Sequence, residues 1–400
     1  MIIVVITARI LGPHDQGVIA GAIAWVGLIS TMAGLSLGQV SQHVIQLKQR
    51  QNWLPGLFGC LLYLLGILSF LALLFTGITY FATQGRFFGE IDPLVLGVAF
   101  CMLPMLIWDE YSGNLLASAG RLRIYNLIQV AGRTLWIILC ITLVVVLGLG
   151  VFGALIAQIL GQLLVAVTSI YLLWMAAGRV IRVDRSEVSQ ILHGSLRLHI
   201  NTIASFLLTQ TSVLVLNHYF SKSEVGWYYL SWQMVTVLFV IPQSVSIVLY
   251  SRMADMGPDG IWPMQKRLLL YTMTVMLLLI ALAYLVGPRI LIAMVGNDYL
   301  PSVEYFQLLL PTLLGVALAQ IMAPQWIGRG LFLPTTAVTA VTAIANLGAH
   351  LILVPRYGVI GAVWSTLVSY AVIAVIVQLY FIYWCEQRYV ASIHHRKNGI

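Results

Sequence analysis

Residues 54–82 run for a full membrane thickness without one charged side chain, and stretches of the same kind recur along the whole chain. A helix crossing the hydrocarbon core needs about 20 consecutive apolar residues. Nothing constrains a chain more than having many of them, because in lipid every backbone N–H and C=O must be paired inside a helix or a closed barrel. Barrel strands are short segments of alternating polarity. The apolar runs here are long and unbroken, so the spans are helices. Composition agrees: 60% of the 400 residues are apolar and 8% are charged, against roughly 25% charged in soluble domains. Length alone would allow two or three soluble domains, but this balance excludes them. The chain reads as an all-α integral membrane protein. Its four cysteines, Cys60, Cys101, Cys140 and Cys385, are scattered among apolar segments and carry no CxxC spacing. They read as small buried hydrophobes, with no disulfide framework and no metal site.

The pattern predicts about twelve transmembrane helices: 1–11 (short), 17–46, 54–82, 93–119, 124–148, 151–176, 195–219, 225–250, 268–293, 303–328, 334–354 and 358–385. The links are short, and the longest is the basic stretch GRVIRVDRSEVSQ at 178–190. Fourteen of the 21 Lys and Arg residues fall on the side that holds the even-to-odd links and the C-terminus, four fall on the other side, and Arg9, Arg133 and Arg197 lie at membrane depth. The positive-inside rule then places the C-terminus in the cytoplasm. It also accounts for the net charge of +8 without nucleic acid as a partner.

Three pairs of segments recur at a nearly constant offset. GVFGA at 150–154 matches GVIGA at 358–362, ILGPHDQG at 10–17 matches YFSKSEVG at 219–226, and Gly120 in LASAGRL matches Gly330 in WIGRGLF. Two six-helix bundles follow, an N-terminal one at 1–177 and a C-terminal one at 191–386, joined by the linker 178–190 and followed by a cytoplasmic tail at 387–400. An even number of helices per copy makes the repeats parallel, and transporters built on such repeats bind substrate near the midplane. The same offset pairs 195–219 with a first helix lacking roughly its first 14 residues, so helix 1 reads as N-terminally truncated. No basic segment precedes the apolar run and no A-x-A site follows it, which disfavours a signal peptide.

ARILGPHDQG at 8–17, GRLRIYNLIQ at 120–129 and above all NLGAHLILVPRYGVIGAVWSTLVSY at 346–370 resemble the polysaccharide biosynthesis proteins. These are flippases of lipid-linked oligosaccharides within the multidrug/oligosaccharidyl-lipid/polysaccharide exporter superfamily. The resemblance implies two helical bundles around a central cavity. Its implied cargo is a polyprenyl pyrophosphate carrying a glycan for O-antigen, capsule or exopolysaccharide. It further implies a bacterial inner-membrane location, possible work beside polymerase and chain-length proteins, and no cofactor and no catalytic role.

Such a cargo needs a wet cleft, because unpaired charges and sugar hydroxyls do not enter hydrocarbon unaided. Ser36, Gln39, His43, Gln46 and Arg50 form one polar face of helix 2. His193, Arg197, Asn201 and Ser205 do so on helix 7, and Gln233, Thr236, Gln243 and Arg252 follow helix 8. Arg197, Arg252, His43, Arg50, Gln39, Asn201 and Gln243 are the candidate substrate-binding residues, with His43 and Arg252 related by the repeat offset. Each polar group serves equally well as an interhelical hydrogen-bonding group, and Arg252 also suits snorkelling to headgroups. Asp109 and Glu110 in helix 4, with Arg133 across the hairpin in helix 5, are either a buried ion pair or an ion-coupling site. Pro104, Pro242, Pro311 and Pro324 lie inside spans and are expected to bend them. His394-His395 is too sparse for a metal. Two other functions remain open: a cation-coupled multidrug extruder of the same superfamily, and a membrane glycan polymerase or ligase, which the short external links disfavour. No GxxxxGK[ST] loop is present, so this chain alone does not read as ATP-driven.

Overall fold

The computed structural model describes the backbone of residues 2–48 and 53–397, and the side chains of these residues except at 43, 46–48, 185, 196–198, 254, 372 and 392–397. Every regular element among the described residues is helical. We number twelve helices. The first is α1 (2–11). A non-helical Gly12 separates it from α2 (13–34, continuing as Leu37–Lys48). Then come α3 (Leu54–Thr83), α4 (Pro93–Phe100 and Leu103–Ser118), α5 (Leu122–Cys140, ending in a π turn Ile141–Val146) and α6 (Gly150–Ala176). After α7 (Arg185–Tyr219) the chain forms α8 (Lys222–Val237, then 240–256) and, beyond a break at Gly257, α9 (258–295). The last three are α10 (Leu300–Leu309 and Thr312–Gly328), α11 (332–357) and, beyond Gly358, α12 (359–397).

Eight helical stretches are long and apolar enough to span, and two bent pairs raise the number to ten. Two of these, Ile2–Gln42 and Phe332–Ala391, are 41 and 60 residues long. At 1.5 Å per residue both far exceed a bilayer core of about 30 Å. Dividing them at Gly12 and Gly358 gives the twelve segments among the described residues. Phe81 is 82% exposed and Leu333 80% exposed, which suits a lipid-facing surface and no aqueous one. This is a multi-pass membrane protein.

Prolines shape several spans as expected. α8 bends by 42° just ahead of Pro242 and α10 by 49° at Pro311, where proline has no N–H to give the carbonyl one turn back. A break at Cys101–Met102 precedes Pro104, whereas α10 runs through Pro324 as a helix. Two helices outrun their expected limits. α7 starts at Arg185, inside the stretch read as linker, because the Asp184 carboxylate caps it by accepting the Ser186 N–H at 2.8 Å. α12 continues through the stretch read as tail.

The repeat-matched segments share backbone geometry. Gly120 and Gly330 both have φ of +69°, and each closes its helix with the same pair of bonds: Gly120 N–H to Ala117 O and Arg121 N–H to Leu116 O, Gly330 N–H to Ile327 O and Leu331 N–H to Trp326 O. Gly150 and Gly358 share a positive φ, +56° and +63°. The third pair touches itself. Gly17 lies against the Lys222 carbonyl and Gly226 against the Pro13 carbonyl, so tightly that a methyl group at either would overlap backbone. Residues 13 and 17 exchange contacts with 222 and 226, the reciprocal pattern of a local two-fold relation.

By contacts the chain divides into Ile2–Gly226 and Trp227–Ile400. α7 therefore packs with the N-terminal helices, on α2 and α3, although the repeat makes it the counterpart of α1. In the second unit α10 packs on α12 and on the α8–α9 stretch, around Trp262, Met322 and Phe381.

Candidate functional site: the broken helix α2 and its partners

α2 is interrupted at Leu35 and Ser36, whose φ values are +50° and +54°. Left-handed backbone costs a non-glycine residue about 1–2 kcal/mol, so something must hold the break. α4 holds both sides. The Tyr111 hydroxyl donates to the Gly34 carbonyl at 2.9 Å, closing the first half. The Glu110 carboxylate lies near the backbone N–H of Gln39, in the first turn of the second half. Gly38 permits this approach: a Cβ there would meet the Glu110 carbonyl at 2.8 Å. From α7, Thr202 accepts a hydrogen bond from Ser36 Oγ at 2.8 Å, and His199 Nδ1 lies 3.2 Å from the same oxygen. Glu110 Oε1 is buried with no hydrogen-bond partner.

The neighbouring carboxylate faces the other way. Asp109 Oδ1 accepts from the Tyr125 hydroxyl at 2.9 Å and from Gln129 Nε2 at 2.5 Å, and those two groups bond each other at 2.8 Å. Arg133 follows at the same spacing on α5, exposed, and acts on Asp109 through its charge. Tyr125, Gln129 and Arg133 thus make one face at i, i+4 and i+8.

The sequence pattern of the family described as polysaccharide biosynthesis protein matches residues 1–256. The chain belongs to that family. No curated protein matches it in sequence. Among solved structures, it is similar to the lipid II flippase MurJ in an inward closed conformation (TM-score 0.77, 12% identity, covering 95% of this chain and 84% of that one). It is also similar to a multidrug resistance MATE family transporter of the MOP superfamily facing inward (TM-score 0.73, 18% identity, 98% and 94% covered). A third is a MOP superfamily transporter from Pyrococcus furiosus with a binding pocket of reversed polarity (TM-score 0.60, 17% identity, 96% of each chain covered). At these identities the likeness is one of fold, and the fold is that of the MOP superfamily transporters.

In this family member the candidate residues fare differently. The structure brings Ser36 on α2 to α7, with Gln39 exposed and Asn201 half-buried on the same two helices. Arg50 and the side chains of His43 and Arg197 lie outside the described residues. Gln243 and Arg252 are exposed on α8, in the second unit. Sequence reasoning missed His199 and Thr202, because the polar stripe drawn through Arg197 and Asn201 runs along the adjacent face. It also missed Tyr125 and Gln129, although their spacing before Arg133 was legible. Arg329, one of the fourteen basic residues read as topology signals, is a largely buried partner: its Nη2 lies 2.7 Å from Asp259 Oδ1, and its Nε donates to Gln325.

Proposed function

We propose that this protein flips a polyprenyl-pyrophosphate-linked oligosaccharide from the cytoplasmic to the outer leaflet by alternating access, for surface polysaccharide assembly. One observation carries the reading furthest. In a member of the polysaccharide biosynthesis family, α2 and α7 turn polar groups toward each other at a break in α2, and Gln39 and Asn201 on those helices are not consumed by helix packing. Sugar hydroxyls need such groups. The pyrophosphate needs cations, a role we assign to Arg197, Arg252, His43 and Arg50, and Gln243 is assigned to the sugar. The lipid II flippase, by its name, handles a lipid-linked cargo, and the shared fold supports the same class here. The drug-extruder reading ranks second because the matching family is one of polysaccharide biosynthesis. We place the protein in the bacterial inner membrane with its C-terminus in the cytoplasm, on the charge asymmetry of its links, working beside a polymerase and chain-length proteins.

A buried ion pair does not fit an exposed Arg133, so we leave Asp109 and Glu110, with Arg133 beside them, two roles: a structural lock or ion coupling. An imposed Na⁺ or proton gradient distinguishes the two. A flipping rate that follows the gradient in wild type, and no longer follows it in Glu110→Gln or Asp109→Asn, establishes coupling. A gradient-independent wild type leaves these residues as a lock. The function itself is tested by deletion: polyprenyl-linked glycan should accumulate on the cytoplasmic face, and normal surface polysaccharide in the deletion strain would exclude the proposal.

A further inference from the structure

Away from α2, a groove of about 670 Å³ lies between the end of α9 and the start of α10. Ile292, Leu300 and Val303 wall it, and Gln307 donates to the Tyr284 carbonyl at 3.0 Å, tying the two helices together beneath it. Arg289 and Glu304 line the same groove. Arg289 is six residues from the end of α9 and Glu304 four from the start of α10, which puts them about 9 Å and 6 Å below the helix ends. Both therefore stand at headgroup depth. Both are exposed, and neither has an ion-pair or hydrogen-bond partner among the described residues. Unpaired ions of opposite sign over an apolar trough form an unfilled recognition pattern: one cation for a phosphate, one carboxylate for an ammonium, and a slot for acyl chain.

We propose that this groove is a binding site for a zwitterionic phospholipid whose headgroup carries a primary amine. Arg289 takes the phosphate and Glu304 accepts hydrogen bonds from the ammonium. A quaternary ammonium has no N–H to give, and an uncharged glycerol headgroup has no positive charge, so the carboxylate discriminates against both. The site is separate from the residues assigned to the glycan carrier and does not depend on that assignment.

Native mass spectrometry of the full-length protein tests this, with equimolar phosphatidylethanolamine, phosphatidylcholine and phosphatidylglycerol of identical acyl chains. Phosphatidylethanolamine adducts should survive in about tenfold excess over either competitor. Glu304→Gln, which loses the charge and keeps one acceptor oxygen, should diminish that preference while total lipid retention persists, and Arg289→Gln should lower retention of all three. Ile292→Trp, which fills the trough without touching a charge, should also lower all three. Equal retention of the three lipids, a preference for phosphatidylglycerol, or an undiminished preference in Glu304→Gln would overturn the proposal. Both charged positions are exposed, so their variants keep the fold; Glu304→Ala, which removes charge and acceptor together, should abolish the preference.

Discussion

Two carboxylates adjacent in sequence do different work because helical geometry turns them about 100° apart. Glu110 lies beside the first turn of the second half of α2 and Asp109 gathers Tyr125 and Gln129. Removing the Glu110 side chain takes an acceptor away from that turn, so Glu110→Ala should lower stability by about 1 kcal/mol, while Glu110→Gln keeps an acceptor oxygen and most of that stability. Asp109→Leu strands a hydroxyl and an amide in a partly buried site and should cost about 1–3 kcal/mol. Thermal unfolding of the purified protein in detergent measures both. Equal loss in Glu110→Ala and Glu110→Gln would show that an acceptor beside Gln39 is not what holds the break. A left-handed Leu-Ser pair is invisible to pattern reading, because glycine or asparagine is the usual mark of such a turn. The polar residues of α2 were legible, but the interruption that aims Ser36 at α7 was not.

At the scale of elements, one of the link pairs that recur at the repeat offset also touches itself. Gly17 and Gly226 each admit the other link's backbone carbonyl. Gly17→Ala and Gly226→Ala should therefore damage folding alike, each by about 1–3 kcal/mol or more, since the obstructing atoms are backbone. Yield and melting temperature of the two variants check this, and a benign Gly226→Ala beside a damaging Gly17→Ala would contradict the reciprocal contact. The Arg329–Asp259 pair ties the end of α10 to the start of α9, so Asp259→Ala should destabilise by about 1–3 kcal/mol by leaving a largely buried guanidinium with Gln325 as its remaining carboxamide partner. Arg329→Leu, which removes the charge altogether, should cost less than Asp259→Ala in the same unfolding assay.

For the whole molecule, the twelve apolar runs were readable because lipid forces each span to be long, helical and uncharged. Their ends were less so. The Asp184 cap that starts α7 early is a local D-x-x-E signal with Glu187 at its third helical position, overshadowed by the basic residues around it. How contacts group the helices is a tertiary property that the repeat does not encode, as the packing of α7 on α2 and α3 illustrates. With six spans per copy, reporter fusions at Gly120 and Gly178 should report one side of the membrane and fusions at Gly85 and Gly296 the other. Mixed signals within either pair would break the parallel-repeat topology.

The central claim is transport of a lipid-linked glycan, and reconstitution tests it most directly. Proteoliposomes carrying a polyprenyl-pyrophosphate-linked oligosaccharide are exposed to a membrane-impermeant glycosidase, and the fraction of glycan cleaved over time is followed. Wild-type protein should carry the protected inner-leaflet half to the enzyme, while Arg197→Ala and Arg252→Ala, present at equal amount, should leave it protected. Cleavage that stops at the outer-leaflet half with wild-type protein, as it does in protein-free vesicles, would contradict the account.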